Sequence, residues 1–340
     1  MSRPGRGAHR CCLPRTLSAM READSVGHIP REPQLVKTDS RLERVLTQGH
    51  FAVTAEAGPP KGSLPDMMIR KGESLKNCAD ALNVTDNQAA VVHMSSLAGC
   101  LLLKQAGSEP ILQMVVRDRN RLALQSDLLG AAALGIKNVL CLSGDHQRLG
   151  NHPGARGVYD IDSVHLIQIV RAMRDERRLQ NGETFSGDVP LFIGAAANPF
   201  AEPSELRIVR LAKKIQAGAD FIQTQAVFDV PRFTEWMQRV RDRGLDERVF
   251  ILAGVLPLKS AKMAHRIRDY VPGLWVPDPI VERMGRAADP KEEGVRICLE
   301  TISQLRAVPG VRGIHVMAVA WEEVVPQIVE QAGLLPRPDV

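Results

Sequence analysis

Aromatic residues are scarce in this 340-residue chain, at 4% for Phe, Trp and Tyr together. Its core must be built from Leu, Ile, Val and Ala, and the composition offers little on which nucleic-acid bases could stack. No run approaches the roughly 18 apolar residues of a membrane-spanning helix. The N-terminal stretch lacks the apolar segment of a secretory signal, because Cys11-Cys12-Leu13 is too short. The six cysteines form no C-x-x-C pair, which argues against a zinc site, an iron–sulfur site or a disulfide framework. Reduced thiols in a cytoplasmic protein are the expectation. No G-x-G-x-x-G follows the first strand, and no G-x-x-x-x-G-K-[ST] or G-x-S-x-G occurs. These absences weigh against dinucleotide folds, phosphate-loop nucleotidases and serine hydrolases.

What is present is an ordinary globular composition, 44% hydrophobic and 24% charged, with a net charge of +5. Most of that excess lies in the first thirty residues, where Arg3, Arg6, Arg10, Arg15 and Arg21 outnumber Glu22 and Asp24. A basic tail on a near-neutral body does not make a nucleic-acid surface. Residues 1–36 are expected to be a disordered basic tail, with Met20 an alternative start, and residues 37–340 a single domain.

The body alternates between strand-like and helix-like stretches. Strands are expected at 51–55, 81–85, 110–116, 139–142, 191–197, 221–225, 249–256 and 313–319. Helices are expected at 39–48, 89–105, 119–134, 162–179, 203–217, 229–243 and 322–332, with a proline-broken helical section over 260–307. Gly107, Gly135, Gly218 and Gly244 each close a helix shortly before the next strand. Eight strands alternating with helices describe a (β/α)₈ TIM barrel, with an open doubly wound sheet as the runner-up.

In such a barrel the residues just past the strands converge on one mouth. Here they include Glu56, Thr85, Asp145, Asn198, Gln225 and, within the third strand, Gln113. Carboxylates, carboxamides and a hydroxyl suit proton transfer and recognition of a polar heterocycle. Glu56 lies between Ala55 and Ala57-Gly58-Pro59, a poorly hydrated setting that suits a proton donor. Strand alternation aims Gln223 and Gln225 to one side, with Gln225 the better ligand candidate. His315 reads as a core histidine.

An ordered set of motifs joins these positions. Glu56 precedes Pro59-Pro60, and a strand ends in Ser143-Gly144-Asp145. Gly194 to Pro199 (GAAANP), Lys213 to Asp220 (KKIQAGAD), Thr224-Gln225 with Phe228-Asp229, and Gly254 to Pro257 (GVLP) follow in order. Over about residues 50–320 the set resembles the methylenetetrahydrofolate reductase family. The resemblance implies a flavin-containing (β/α)₈ barrel that reduces 5,10-methylenetetrahydrofolate to 5-methyltetrahydrofolate in one-carbon and methionine metabolism. Glu56 matches the family's general acid, Asp145 the aspartate that contacts the pterin and tunes the flavin, and Gln225 a folate-binding glutamine. Thr85, Gly144, Tyr159, Ala196 and Lys214 fall where the family contacts FAD, and Gln113, Ser143, Asp145 and Asn198 complete the expected cofactor set.

Several positions depart from the family pattern. Ser143 replaces an arginine, Gln113 a histidine and Asn198 an aromatic, while Ala57-Gly58 stands in place of two aromatics. The arginine expected near Trp321 is absent. These changes open FMN as the alternative flavin. The ending is similar to short reductases of anaerobic one-carbon pathways, so electrons are expected from NAD(P)H or from an electron-transfer partner protein. A homo-oligomer is open. The rival readings are a pterin-binding barrel methyltransferase and a non-catalytic subunit of a one-carbon complex.

Overall fold

The computed structural model describes residues 36–271 and 273–340. The expected tail over residues 1–36, Val36 apart, and the break at Pro272 therefore lie outside the described residues.

The first half of the chain runs α1 (Arg41–Thr47), β1 (Ala52–Glu56), α2 (Pro65–Leu75), β2 (Ala81–Val84), α3 (Ser96–Gln105), β3 (Pro110–Val115), α4 (Arg121–Ala133) and β4 (Asn138–Leu142). It continues with α5 (Ser163–Glu176), β5 (Phe192–Ala197), α6 (Ser204–Ala217), β6 (Phe221–Ala226), α7 (Val230–Arg241) and β7 (Phe250–Val255). Then come α8 (Ala261–Tyr270), α9 (Asp278–Arg286), α10 (Pro290–Arg306), β8 (Val311–Val316) and α11 (Val325–Gln331). Strands β1 to β8 pair in chain order and close as a barrel, all parallel. The TIM barrel is thus the architecture.

Two local expectations are corrected. Helix α2 occupies a stretch with no anticipated helix; its buried face rests on only Met68, Gly72 and Leu75. Gly72 lets α2 approach α3 closely, since a Cβ there would come within 2.7 Å of the Ala106 side chain. The helix expected from Ala89 starts instead at Ser96. Its cap, Ser95, accepts a hydrogen bond from the Ala98 amide at 3.3 Å, whereas Asn87, Ala89 and Ala90 are left-handed. A capping serine after the β-branched pair Val91-Val92 outweighs the alanines.

Helix α1 plugs the amino-terminal end of the barrel. Ser40 caps it, and the buried Glu43 carboxylate accepts the amides of Lys37, Thr38 and Asp39. Leu42, Val45 and Leu46 then pack onto inward residues of the strands, including Phe192, Phe221 and Phe250. Phe192 and Phe221 stack with their centroids 5.2 Å apart. The outward strand residues join the helices in the main core. Buried carboxylates brace the same end: Asp80 takes both Nε and Nη2 of Arg337, and Asp220 takes Lys37 and Arg174. The other end is left to the strand termini that carry the polar residues.

Four described cysteines, Cys78, Cys100, Cys141 and Cys298, are buried free thiols. Burial pushes Cys78 up to about 11 and Cys298 up to about 12, far from reactive thiolates. Among the described residues no helix is long and apolar enough to cross a membrane.

Candidate active site

Inside the barrel, above the apolar plug, lies a polar layer. The amides of Asn83 on β2 and Gln223 on β6 pair reciprocally across the interior, at 2.6 and 3.0 Å. Gln223 Nε2 also donates to Thr54 Oγ1 on β1 at 3.1 Å, and that hydroxyl lies 3.0 Å from Nδ1 of His315 on β8. Gln223 is therefore the buried structural amide of the glutamine pair. His315 is buried and satisfied on its Nδ1 side, as expected of a core histidine. Its other nitrogen, Nε2, lies 3.9 Å from Glu56 Oε1, a relation the sequence did not disclose.

Glu56 ends β1 with its side chain 13% exposed. The Ala57 amide donates to Asn83 O at 2.8 Å, which fixes where the carboxylate leaves the strand. Beyond it, the Gly58 carbonyl accepts from Lys71 Nζ at 2.8 Å, and that ammonium also pairs with Glu322, after β8, at 2.5 Å. The Glu56 loop is thus tied to both α2 and the exit of β8.

The neighbouring strand ends carry the other expected residues. Thr85 follows β2 and Gln113 lies on β3, each nine-tenths or more buried. Gln225, on β6, is half-buried beside a register shift between β6 and β7. None of the side chains of Glu56, Thr85, Gln113 and Gln225 has a hydrogen-bond partner among the described residues. These four polar groups, without a protein hydrogen bond at one barrel mouth, are open to a ligand or to water.

After β4 the chain turns at Gly144, φ +82°, where a Cβ would stand 3.1 Å from Val115 Cβ. Asp145 Oδ2 then accepts the Ala89 amide at 3.1 Å, within the left-handed 87–90 turn. The buried Arg117 braces this region, donating to the carbonyls of Asp145 at 2.9 Å and Asn87 at 3.3 Å. The hydrogen bonds it donates to the Asp118 carboxylate favour its charged form. Sequence reasoning missed Arg117, although a charged residue directly after strand three was the available signal. Tyr159 is anchored through its backbone to Val116 O and is 41% exposed, at a left-handed φ of 42°.

Lys214 projects from α6 to the end of β5, where its Nζ donates to Ala196 O at 2.6 Å. Burial, followed by the nearby Arg210 charge, lowers its pKa to about 8. Two expected cofactor residues have their side chains committed elsewhere. Ser143 Oγ bonds Ser163 Oγ on α5, and the Asn198 amide is held by Gly273 O and the Phe200 amide. Each side chain is thereby oriented by the protein, with only its remaining hydrogen-bonding capacity left for a ligand.

Comparison with known proteins gives a consistent picture. The family model described as methylenetetrahydrofolate reductase matches residues 41–333. The 5,10-methylenetetrahydrofolate reductase of Pectobacterium carotovorum subsp. carotovorum is 25% identical over 308 residues, covering 86% of this chain and 93% of that protein. A probable methylenetetrahydrofolate reductase (NADPH) of Caenorhabditis elegans is 22% identical over 311 residues, covering 86% of this chain and 44% of that one. The chain thus spans less than half the length of that longer relative. Among solved structures, an uncharacterized protein from Clostridium thermocellum that binds two copies of 5-methyl-5,6,7,8-tetrahydrofolic acid shares the fold. Its TM-score is 0.58 at 14% identity, over 86% of this chain and 97% of that one.

Proposed function

The chain belongs to the methylenetetrahydrofolate reductase family, and from that premise we propose that it reduces 5,10-methylenetetrahydrofolate to 5-methyltetrahydrofolate with a bound flavin. The observation that carries the reading is the set of unpaired polar side chains, Glu56, Thr85, Gln113 and Gln225, around one barrel mouth. A pterin and a flavin are polar heterocycles whose edges match such donors and acceptors.

Glu56 acts as general acid. Its O–H bond breaks as the proton passes to N10 of the substrate. The bond between N10 and the bridging methylene breaks with its electron pair left on N10, and the methylene carbon becomes the 5-iminium cation. Gln225 and Asp145 hold the pterin, and the Ala89 amide keeps the Asp145 carboxylate oriented.

The flavin fits this site on two counts: the unpaired Thr85 and Gln113 side chains, and a mostly buried ammonium at Lys214 that has only a carbonyl partner and suits a phosphate. Thr85, Gln113, Asp145, Tyr159 and Lys214 would hold it, with Ser143, Gly144, Ala196 and Asn198 contributing backbone and close approach. When bound, the flavin supplies the hydride that turns the iminium carbon into a methyl group. FAD is the proposed form, with FMN the alternative. NAD(P)H or a partner protein delivers the electrons to residues 37–340, working as one barrel domain in the cytoplasm and able to form a homo-oligomer.

The test is the visible spectrum of the purified protein, followed by anaerobic titration with NADH and then with 5-methyltetrahydrofolate. Bleaching of a flavin band by both supports a self-sufficient reductase. Bleaching by the folate alone assigns the electrons to a partner protein. No flavin band, even after reconstitution with FAD or FMN, overturns the reading in favour of a pterin-binding methyltransferase. Glu56→Gln should lower folate turnover by about 10²-fold or more with the flavin still bound; undiminished turnover removes Glu56 as the acid.

A further inference from the structure

We infer that Arg117 is a positioning residue for the cofactor site: its guanidinium sets the distance between the loops that leave β2 and β4, which carry Thr85 on one side and Gly144-Asp145 on the other. The inference rests on the function proposed above and names a residue to which that reading gives no role.

Arg117 follows β3 after Val116, between the two loops, and its side chain is only 3% exposed. Its Nε and Nη2 donate to the two oxygens of Asp118 at 2.7 and 2.6 Å, a pairing made within one dipeptide. That pair alone would balance the charge. The guanidinium donates further: Nη1 to the Asp145 carbonyl at 2.9 Å, and Nη2 to the Asn87 carbonyl at 3.3 Å. One rigid, planar cation thus holds the backbones of two separate loops at a fixed spacing. Lysine has no such fork, being a point charge on a flexible stem.

The backbone that is held is a strained one. Asn87, Ala89 and Ala90 stand at φ 47°, 54° and 56°, a conformation that is costly for a residue with a Cβ. Upstream, Asp86 accepts the Val115 amide at 2.9 Å and Arg119 at 2.6 and 3.2 Å, which anchors the chain to β3 as far as residue 86. Beyond it the turn is tied to the β4 loop by Arg117 at Asn87 O and by the Asp145 carboxylate at the Ala89 amide. Strain of this kind persists where the surroundings over-determine it, and it gathers at ligand sites. Two more contacts meet at the same residue. A Cβ on Gly144 would stand 3.3 Å from that of Arg117, and the Arg117 carbonyl accepts the Val158 amide at 2.7 Å, one residue before Tyr159. Thr85, Gly144, Asp145 and Tyr159, four groups proposed to meet the flavin, therefore all leave backbone that Arg117 touches directly or within two residues. Without the fork the two loops part, and the flavin loses contacts on both.

Two variants separate the fork from the charge. Arg117→Ala removes both and leaves Asp118, whose side chain is 35% exposed and can be hydrated. Arg117→Lys keeps a cation for Asp118 but cannot span both carbonyls. Flavin affinity, measured by equilibrium dialysis of the reconstituted protein against FAD and FMN, should fall about 10- to 100-fold in Arg117→Ala and about tenfold in Arg117→Lys. Guanidinium at millimolar concentration, far below that which unfolds proteins, should restore a large part of the affinity of Arg117→Ala, and methylammonium at the same concentration should not. With flavin saturating, the fall in kcat/KM for folate should lie mainly in KM, because Asp145 holds the pterin while Glu56 stands on β1, beyond the grip of the fork.

Undiminished flavin affinity in Arg117→Ala, full affinity in Arg117→Lys, a loss that guanidinium does not repair, or a loss of turnover confined to kcat overturns the inference while the proposed function stands. A wild-type protein that takes up neither flavin overturns the function, and this inference with it, before any variant is made. If Arg117→Ala does not fold, Arg117→Lys decides by itself: a loss of about tenfold supports the inference and full affinity overturns it.

Discussion

Replacing Lys214 by methionine should stabilise the cofactor-free protein near neutral pH. Methionine is unbranched and fills a similar path, so the stem can still pack along α6. The ammonium is held against Ala196 O, and its pKa falls from the ordinary 10.5 to about 8, chiefly through burial. Each tenfold change in acidity is worth ~1.4 kcal/mol, so the charged form costs the folded state about 3 kcal/mol. The variant loses one hydrogen bond, worth ~1 kcal/mol, which leaves a gain of about 2 kcal/mol. The sign depends on pH. Below about 8 both folded and unfolded wild type are protonated at this site, and the full cost is present. Between about 8 and 10.5 the folded protein releases the proton first, so wild-type stability rises with pH and the advantage of the variant fades. Urea unfolding followed by far-UV circular dichroism, at about pH 7 and about pH 10, reads both effects. A variant less stable than wild type at pH 7, or a difference that does not shrink by pH 10, refutes the reasoning. The same variant should bind flavin more weakly, because the ammonium that suits a phosphate is gone.

Three further outcomes follow from the geometry. Gln113→Leu removes an amide with no protein partner, so apoprotein stability should hold or rise slightly while flavin affinity, measured by equilibrium dialysis, falls about tenfold; unchanged affinity would mean that Gln113 does not face the cofactor. Gly144→Ala must carry a Cβ at φ +82° within 3.3 Å of both Val115 and Arg117, and should cost about 1–3 kcal/mol in denaturant unfolding. Arg337→Met leaves the fully buried Asp80 with the Val53 amide and a distant Arg41 at 3.6 Å. It should cost about 3 kcal/mol or more, and a loss under 1 kcal/mol would show the carboxylate relaxing to water.

The barrel was legible because its strands are short apolar bursts with helix-closing glycines between them. Gly107, Gly135, Gly218 and Gly244 do take positive φ, from +60° to +121°. Helix α2 was passed over although its sequence is amphipathic, because the Pro- and Gly-rich stretch before it reads as a continuing loop. The 87–90 turn was misread because alanines favour helix, while its left-handed backbone depends on Asp145 and Arg117, far along the chain. At the mouth, Glu56, Asp145 and Gln225 could be picked out by position at strand ends. The link from His315 to Thr54 could not, because it joins residues 261 apart that meet only when β8 closes onto β1. Ser143 and Asn198 were placed at the right strand ends, but their side chains answer to α5 and to Gly273.

The polar layer also bears on how the barrel closes. A strand that slips by one residue reverses which side chains point inward. In a barrel interior made only of aliphatic residues, such a slip would exchange one greasy surface for another. Here it would pull Asn83, Thr54, Gln223 or His315 out of mutual reach and strand the partners that stayed. Four strands, including the two that form the closing seam, are thereby keyed to a single alignment. These four side chains act as the combination of a lock, which opens to one register of the sheet and penalises its neighbours.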